Sequence, residues 1–137
     1  MAANSRMASA VQILCVLAYK GTGGTTAEVI ARSLRTNPVV VRRLLKTMEH
    51  AGLVAIRPGK DGGVQLARDP ATVTLDEVYR AVETGAGVFA LRREANPACP
   101  VARTMIHLLP PIFAAANDAV EGTLRGTTIA GLASAIA

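Results

Sequence analysis

Three cations recur along one face of a short stretch: Arg42, Arg43 and Lys46 within residues 38–50, PVVVRRLLKTMEH. At helical periodicity they share a stripe with Val39 and point away from a second stripe of Val41, Leu44, Leu45 and Met48. No acid stands at i±4 from any of the three. A solvated surface helix usually mixes signs, so this one is suited to a polyanion. Two further cations, Arg57 and Lys60, lie in the glycine-rich run RPGKDGG. From residue 32 to 68 there are eight Lys and Arg against two acids, net +6, whereas the 137-residue chain totals +5. The remainder is therefore close to neutral, and the charge is concentrated in one motif, the footprint of a nucleic-acid-binding face.

Two Phe, two Tyr and no Trp leave little for base stacking, which argues against single strands and RNA. Double-stranded DNA is the expected partner. Arg42, Arg43 and Lys46 are expected in the major groove, with Thr36, Asn37 and Val39 near its edge. Arg57 and Lys60 are expected on phosphates or in the minor groove.

The elements that position these residues follow in order. A first helix runs from Asn4 or Ser5 to Tyr19, with Val11, Leu14, Cys15 and Ala18 as its buried face. Gly21, Gly23 and Gly24 end it. Thr25 or Thr26 caps a second helix to Leu34, with Glu28 in its first turn and Val29, Ile30 and Leu34 buried. After the turn Arg35-Thr36-Asn37, Asn37 caps a third helix with Pro38 at its first position, and Gly52 stops it. Residues 53–56 and 64–67 make a hairpin around the basic tip. The tip is no phosphate-binding loop, because neither a strand-to-helix transition nor a Lys-Ser/Thr pair follows it. Thr74 caps a fourth helix with Asp76 and Glu77 in its first turn. Residues 85–98 form a connection. An apolar helix begins after Cys99-Pro100, which Pro110-Pro111 should kink or split, and Gly126 to Thr128 start a last short helix.

The fold class is mainly α with a small β-hairpin wing: a winged helix-turn-helix in residues 1–84, then a connection, dimerisation helix and C-terminal helix in 85–137. The segment with Val101, Met105, Leu108, Leu109, Ile112 and Phe113 is too apolar to face water alone, so a twofold homodimer is expected, with half-sites about one helical turn apart. No apolar run reaches the ~20 residues that span a bilayer, and the N-terminal stretch reads as an ordinary helix rather than a signal peptide. No membrane partner and a cytoplasmic location are expected.

Two cysteines give no disulfide framework. Cys15 reads as a small core residue. Cys99 is the N-cap if Pro100 opens its helix, and such a position favours a thiolate. Arg103 lies one turn on, with Arg92 and Arg93 upstream. Cys99 is thus a redox- or electrophile-sensing candidate, the alternative being an inert residue at a helix start. Cys99, His50 and His107 show no nucleophile–base–orienter order, so an enzyme is not expected.

In combination these motifs resemble the IscR–NsrR–CymR type of bacterial winged-helix regulators, the Rrf superfamily, over nearly the whole chain. The resemblance rests on T-x-E-x-I-A-x-x-L at Thr26 to Leu34, N-P-x-x-x-R-x-x-L-x-x-M at Asn37 to Met48 and A-G-L-V at Ala51 to Val54. It continues through G-G-V-x-L-A-R at Gly62 to Arg68, T-L-D-E-V-Y-R-A-V-E at Thr74 to Glu83 and N-P-x-C-P-V at Asn96 to Val101. It implies a homodimer joined by the helix after Cys99, each head reading half of a near-palindromic operator. Cluster-binding relatives carry three close cysteines in the loop before that helix, and this chain has one. The resemblance is therefore to a single-cysteine branch, with no iron–sulphur cluster, no metal and no other cofactor expected. The resulting reading is a DNA-binding transcriptional regulator, a repressor, responsive through Cys99. Its alternatives are a constitutive DNA-binding regulator without thiol sensing and a helical protein-interaction adaptor.

Overall fold

The computed structural model describes residues 5–83, 85, 87–92 and 94–136. Six helices and one hairpin follow one another: α1 (Arg6–Lys20), α2 (Ala27–Leu34), α3 (Pro38–His50), β1 (Val54–Arg57), β2 (Gly63–Leu66), α4 (Leu75–Val82), α5 (Pro100–Arg125) and α6 (Ile129–Ala133), with single 3-10 turns at Gly21–Gly23 and Pro70–Thr72. The mainly helical class with a two-stranded wing is the one expected.

Local chemistry sets most boundaries. The Thr26 hydroxyl accepts the Val29 N–H at 3.3 Å to start α2, and Asn37 Oδ1 accepts the Val39 N–H at 2.8 Å ahead of Pro38 to start α3. Arg35 ends α2 in the left-handed region at φ 53°. Gly52, at φ 77°, lets α3 close with the Leu53 N–H on the Met48 carbonyl at 2.9 Å. β1 starts one residue later than expected and β2 one residue earlier, while the Ala67 N–H still donates to the Leu53 carbonyl at 3.0 Å. The strands pair antiparallel from Val54↔Leu66 to Arg57↔Gly63. Thr25 and Val64 exchange both backbone bonds, at 3.1 and 2.7 Å, tying the wing to the loop before α2. A Cβ on Gly63 would lie 2.7 Å from the Thr25 carbonyl oxygen, so this position needs glycine.

One core holds these elements together. Ala10, Ile13, Leu14 and Leu17 of α1 meet Ile30 and Ala31 of α2, the inner stripe of α3, Val54 and Val64 of the wing, Val78 and Val82 of α4, and Ile129 of α6. The buried face of α1 is thus centred on Ala10, Ile13 and Leu17, with Val11, Cys15 and Ala18 only half-buried at its flank. Both stripes fit helical spacing, and neighbours α2, α4 and α6 decide between them. In α2 the buried pair is Ile30 and Ala31, with Val29 and Leu34 partly covered. Helix α5 is unbroken across Pro110-Pro111, so of the expected kink or split the split does not occur. The carbonyls that lose their N–H partners belong to Ile106 and His107, which are exposed, so solvent can satisfy them. Residues 85–98 form the expected connection, where described, and dock on α5. The Val88 N–H donates to Asn117 Oδ1 at 2.8 Å, and Phe89 stacks on Phe113 with centroids 5.2 Å apart.

The division at 84/85 is not a break in packing. The chain returns from α5 so that the Ile129 N–H donates to the Val73 carbonyl at 2.9 Å and the Leu75 N–H to that of Thr127 at 3.0 Å. Beside this return Asp76 is 3 % exposed. Its Oδ2 accepts from Arg80 at 3.0 Å and from Arg125 of α5 at 3.4 Å, and Arg80 also reaches Glu121 at 3.3 Å. The neighbouring Thr74 hydroxyl, then Arg80 and Arg125, hold the carboxyl below its ordinary value of 3.8 against the opposing effect of burial. A group whose pKa is lower folded than unfolded stabilises fully above its unfolded value. Asp76 should therefore lend stability that is lost as pH falls below about 4. Asp76→Asn should lower unfolding free energy at neutral pH by roughly 1–3 kcal/mol and flatten the acid limb of the stability curve. Urea unfolding at pH 7 and pH 3 checks this, and equal stability of the two proteins at pH 7 would refute it.

Candidate nucleic-acid interface

Burial of Val41, Leu44, Leu45 and Met48 leaves α3 only one way to face. Its other stripe, with Arg42, Arg43, Lys46 and Val39, is exposed, and Val39 is 51 % accessible. Between α3 and the wing runs a groove of about 610 Å³, lined on one side by Arg42 and Lys46 and on the other by Arg57, Pro58 and Gly59. The fold thus brings two separate cationic segments, the third helix and the hairpin, to the walls of one groove. Lys60 sits at the exposed hairpin tip.

Thr36 and Asn37 are exposed at the N-terminal end of α3. Asn37 spends its side-chain oxygen on the cap, leaving its amide donors free. Among the described residues, Arg43, Lys46, Arg57 and Lys60 enter no ion pair. Arg42 differs. Its Nη2 donates to Glu28 Oε1 of α2, an acid the i±4 rule along α3 could not find. The expected lack of acid partners is therefore corrected for Arg42: the partner comes from another helix. Arg68 is also engaged, donating to the Thr72 carbonyl at 2.6 Å and pairing with Glu77 at 3.2 Å. It latches the hairpin exit to α4, and its charge belongs to the scaffold rather than the groove.

Cys99 is the N-cap of α5, half-buried, with no hydrogen bond from its side chain to the cap. Arg93, expected near it, lies outside the described residues, and the described Arg92 is exposed. Cys15 is half-buried on α1, where burial pushes its thiol up. His50 ends α3 and His107 is exposed on α5. Among the described residues no three His, Cys, Asp or Glu side chains come together as a metal site. No helix there is long and apolar enough to cross a membrane.

With this geometry in hand, the relatives are informative. A family model described as "Rrf2: Iron-dependent Transcriptional regulator" matches residues 3–135. YwnA of Bacillus subtilis (strain 168), described as an HTH-type transcriptional regulator, is 37 % identical over 126 residues, covering 92 % of each chain. A crystal structure titled as that of a DNA binding protein superposes with a TM-score of 0.76 at 34 % identity, covering 93 % of this chain and 98 % of the other. The structure of CymR (YrzC), the global cysteine regulator of B. subtilis, gives 0.72 at 25 % identity over 100 % and 99 % of the two chains. The sequence holds two cysteines, one on α1 and one capping α5. Helix, wing, groove and relatives agree that this chain belongs to the Rrf2 family of winged helix-turn-helix, DNA-binding transcriptional regulators, which are not enzymes.

Proposed function

We propose that the chain is a homodimeric repressor that places α3 in the major groove of a near-palindromic operator. The observation that carries the reading is the shared groove, where the free cations Lys46 and Arg57 oppose each other across a gap between helix and wing. Arg42 and Arg43 address base edges, Arg57 and Lys60 address phosphates, and Thr36, Asn37 and Val39 set the approach of the helix end. The protein works in the cytoplasm without a resident iron–sulphur cluster, because its two cysteines cannot supply a three-cysteine set.

Selection of bound fragments from genomic DNA would map the operator. Arg43→Ala should then cost about 1–3 kcal/mol of discrimination between operator and mismatched sites. Lys60→Ala should weaken all sequences alike and reduce the salt slope by about one. Unchanged operator binding in both variants would refute the groove assignment.

Support for the dimer comes from α5, which buries no residue and exposes Val101 at 66 % and Ile112 at 59 %. So long an apolar surface on so small a chain marks an interface. Light scattering at micromolar concentration should give twice the chain mass, and Ile112→Glu should give the monomer with its helices intact. A wild-type monomer would overturn this.

Cys99 is the proposed signal receiver, since a change at the start of α5 would alter the angle between the two heads. Operator affinity of the wild type should fall after mild peroxide, while Cys99→Ser stays constant. Equal wild-type affinity before and after oxidation would make Cys99 a structural residue and the chain a constitutive regulator.

A further inference from the structure

We propose that Glu28 is a specificity-determining residue, which masks Arg42 from the phosphate backbone and releases it only to a site offering a better acceptor. The proposal rests on the DNA-binding reading above and deepens it. Glu28 sits in the first turn of α2, directly after the Thr26 cap, where the helix N-terminus favours a carboxylate. Its place is thus fixed by α2 rather than by Arg42. The Arg42 guanidinium crosses the helix-turn-helix corner, fourteen residues on in sequence, to reach Glu28 Oε1. Both side chains are a little over half exposed, so the pair can open without disturbing the core.

The groove therefore presents a graded set of charges. Among the described residues Arg43, Lys46, Arg57 and Lys60 carry no acid partner, and Arg42 carries one. Attraction to the phosphate backbone is independent of sequence and grows with each cation that displaces a counterion. Masking one cation removes one such contact from every random encounter. A guanine edge presents two acceptors in the geometry of the guanidinium fork, and such an edge outcompetes one carboxylate oxygen. An exposed ion pair is weak, so the penalty on random DNA is modest and the pair breaks readily at the right sequence. Glu28 acts here as an internal decoy for phosphate.

The test compares the full-length wild type, Glu28→Gln, Arg42→Ala and the double variant. Each is titrated with a mixed-sequence duplex and with the selected operator over a salt series. Glu28→Gln should bind the mixed-sequence duplex about two- to fivefold tighter, with a salt slope steeper by about one. Its gain on the operator should be smaller, so the specificity ratio falls. In the Arg42→Ala background the same change should leave both affinities unaltered. A gain of equal size on both duplexes that persists in that background would make Glu28 a plain repulsive charge and overturn the proposal. A lowered melting temperature with no change in the specificity ratio would make the pair a brace of the corner and overturn it as well. Wild-type protein that binds neither duplex would refute the DNA-binding reading itself, a result distinguishable from both.

Discussion

Everything at the groove depends on α3 having two incompatible faces. Val41, Leu44, Leu45 and Met48 must leave water, and they do so against α2, α4 and the first wing strand. Once that stripe is buried, the geometry of a helix leaves Arg42, Arg43 and Lys46 no direction except outward. Electrostatics did not choose this orientation. Burial of apolar surface did, and the cationic face is its consequence. The same logic fixes the wing: Val54 and Val64 go into the core, so the intervening turn with Arg57 and Lys60 projects beside α3.

Backbone bonds add to that burial in holding the groove in register. The paired bonds between Thr25 and Val64 fasten the wing to the loop that starts α2, and α2 carries the acid that meets Arg42. Helix, wing and Glu28 are thereby parts of one corner. Free cations along it make the phosphate attraction, and Glu28, the acid paired with Arg42, tempers it.

The far end of the chain closes the same core. Ile129 fills it, Thr74 and Thr128 bridge, and Asp76 draws together Arg80 of its own helix and Arg125 of α5. Breaking a buried ion pair by removing one member is costly because the remaining charge is uncompensated. Here the arginines are exposed and the acid is buried, so the uncompensated charge arises on Asp76 when an arginine is lost. The C-terminal end of α5 is thus joined to the head by charge and by backbone, while its N-terminal half carries exposed apolar side chains.

Read alone, the chain already determined the elements whose signals are local. Asn37-Pro38, Gly52, the RPGKDGG tip and Thr74 act within a turn or two, through caps, a fixed proline φ and glycine's left-handed freedom, and the structure keeps all of them. The outward cations of α3 were equally legible, because amphipathic spacing needs no partner to be read. Tertiary structure decided the rest. Which of two apolar stripes α1 buries depends on helices that approach from elsewhere, and periodicity fitted both. Asp76 looked like an ordinary first-turn acid until Arg125, 49 residues away, arrived beside it. Glu28 looked like a helix-start preference until the corner folded Arg42 onto it. Pro110-Pro111 read as a kink or a split, and the helix continues unsplit because the orphaned carbonyls face solvent. Pairings between residues distant in sequence leave no periodic trace, and only the folded core brings them together.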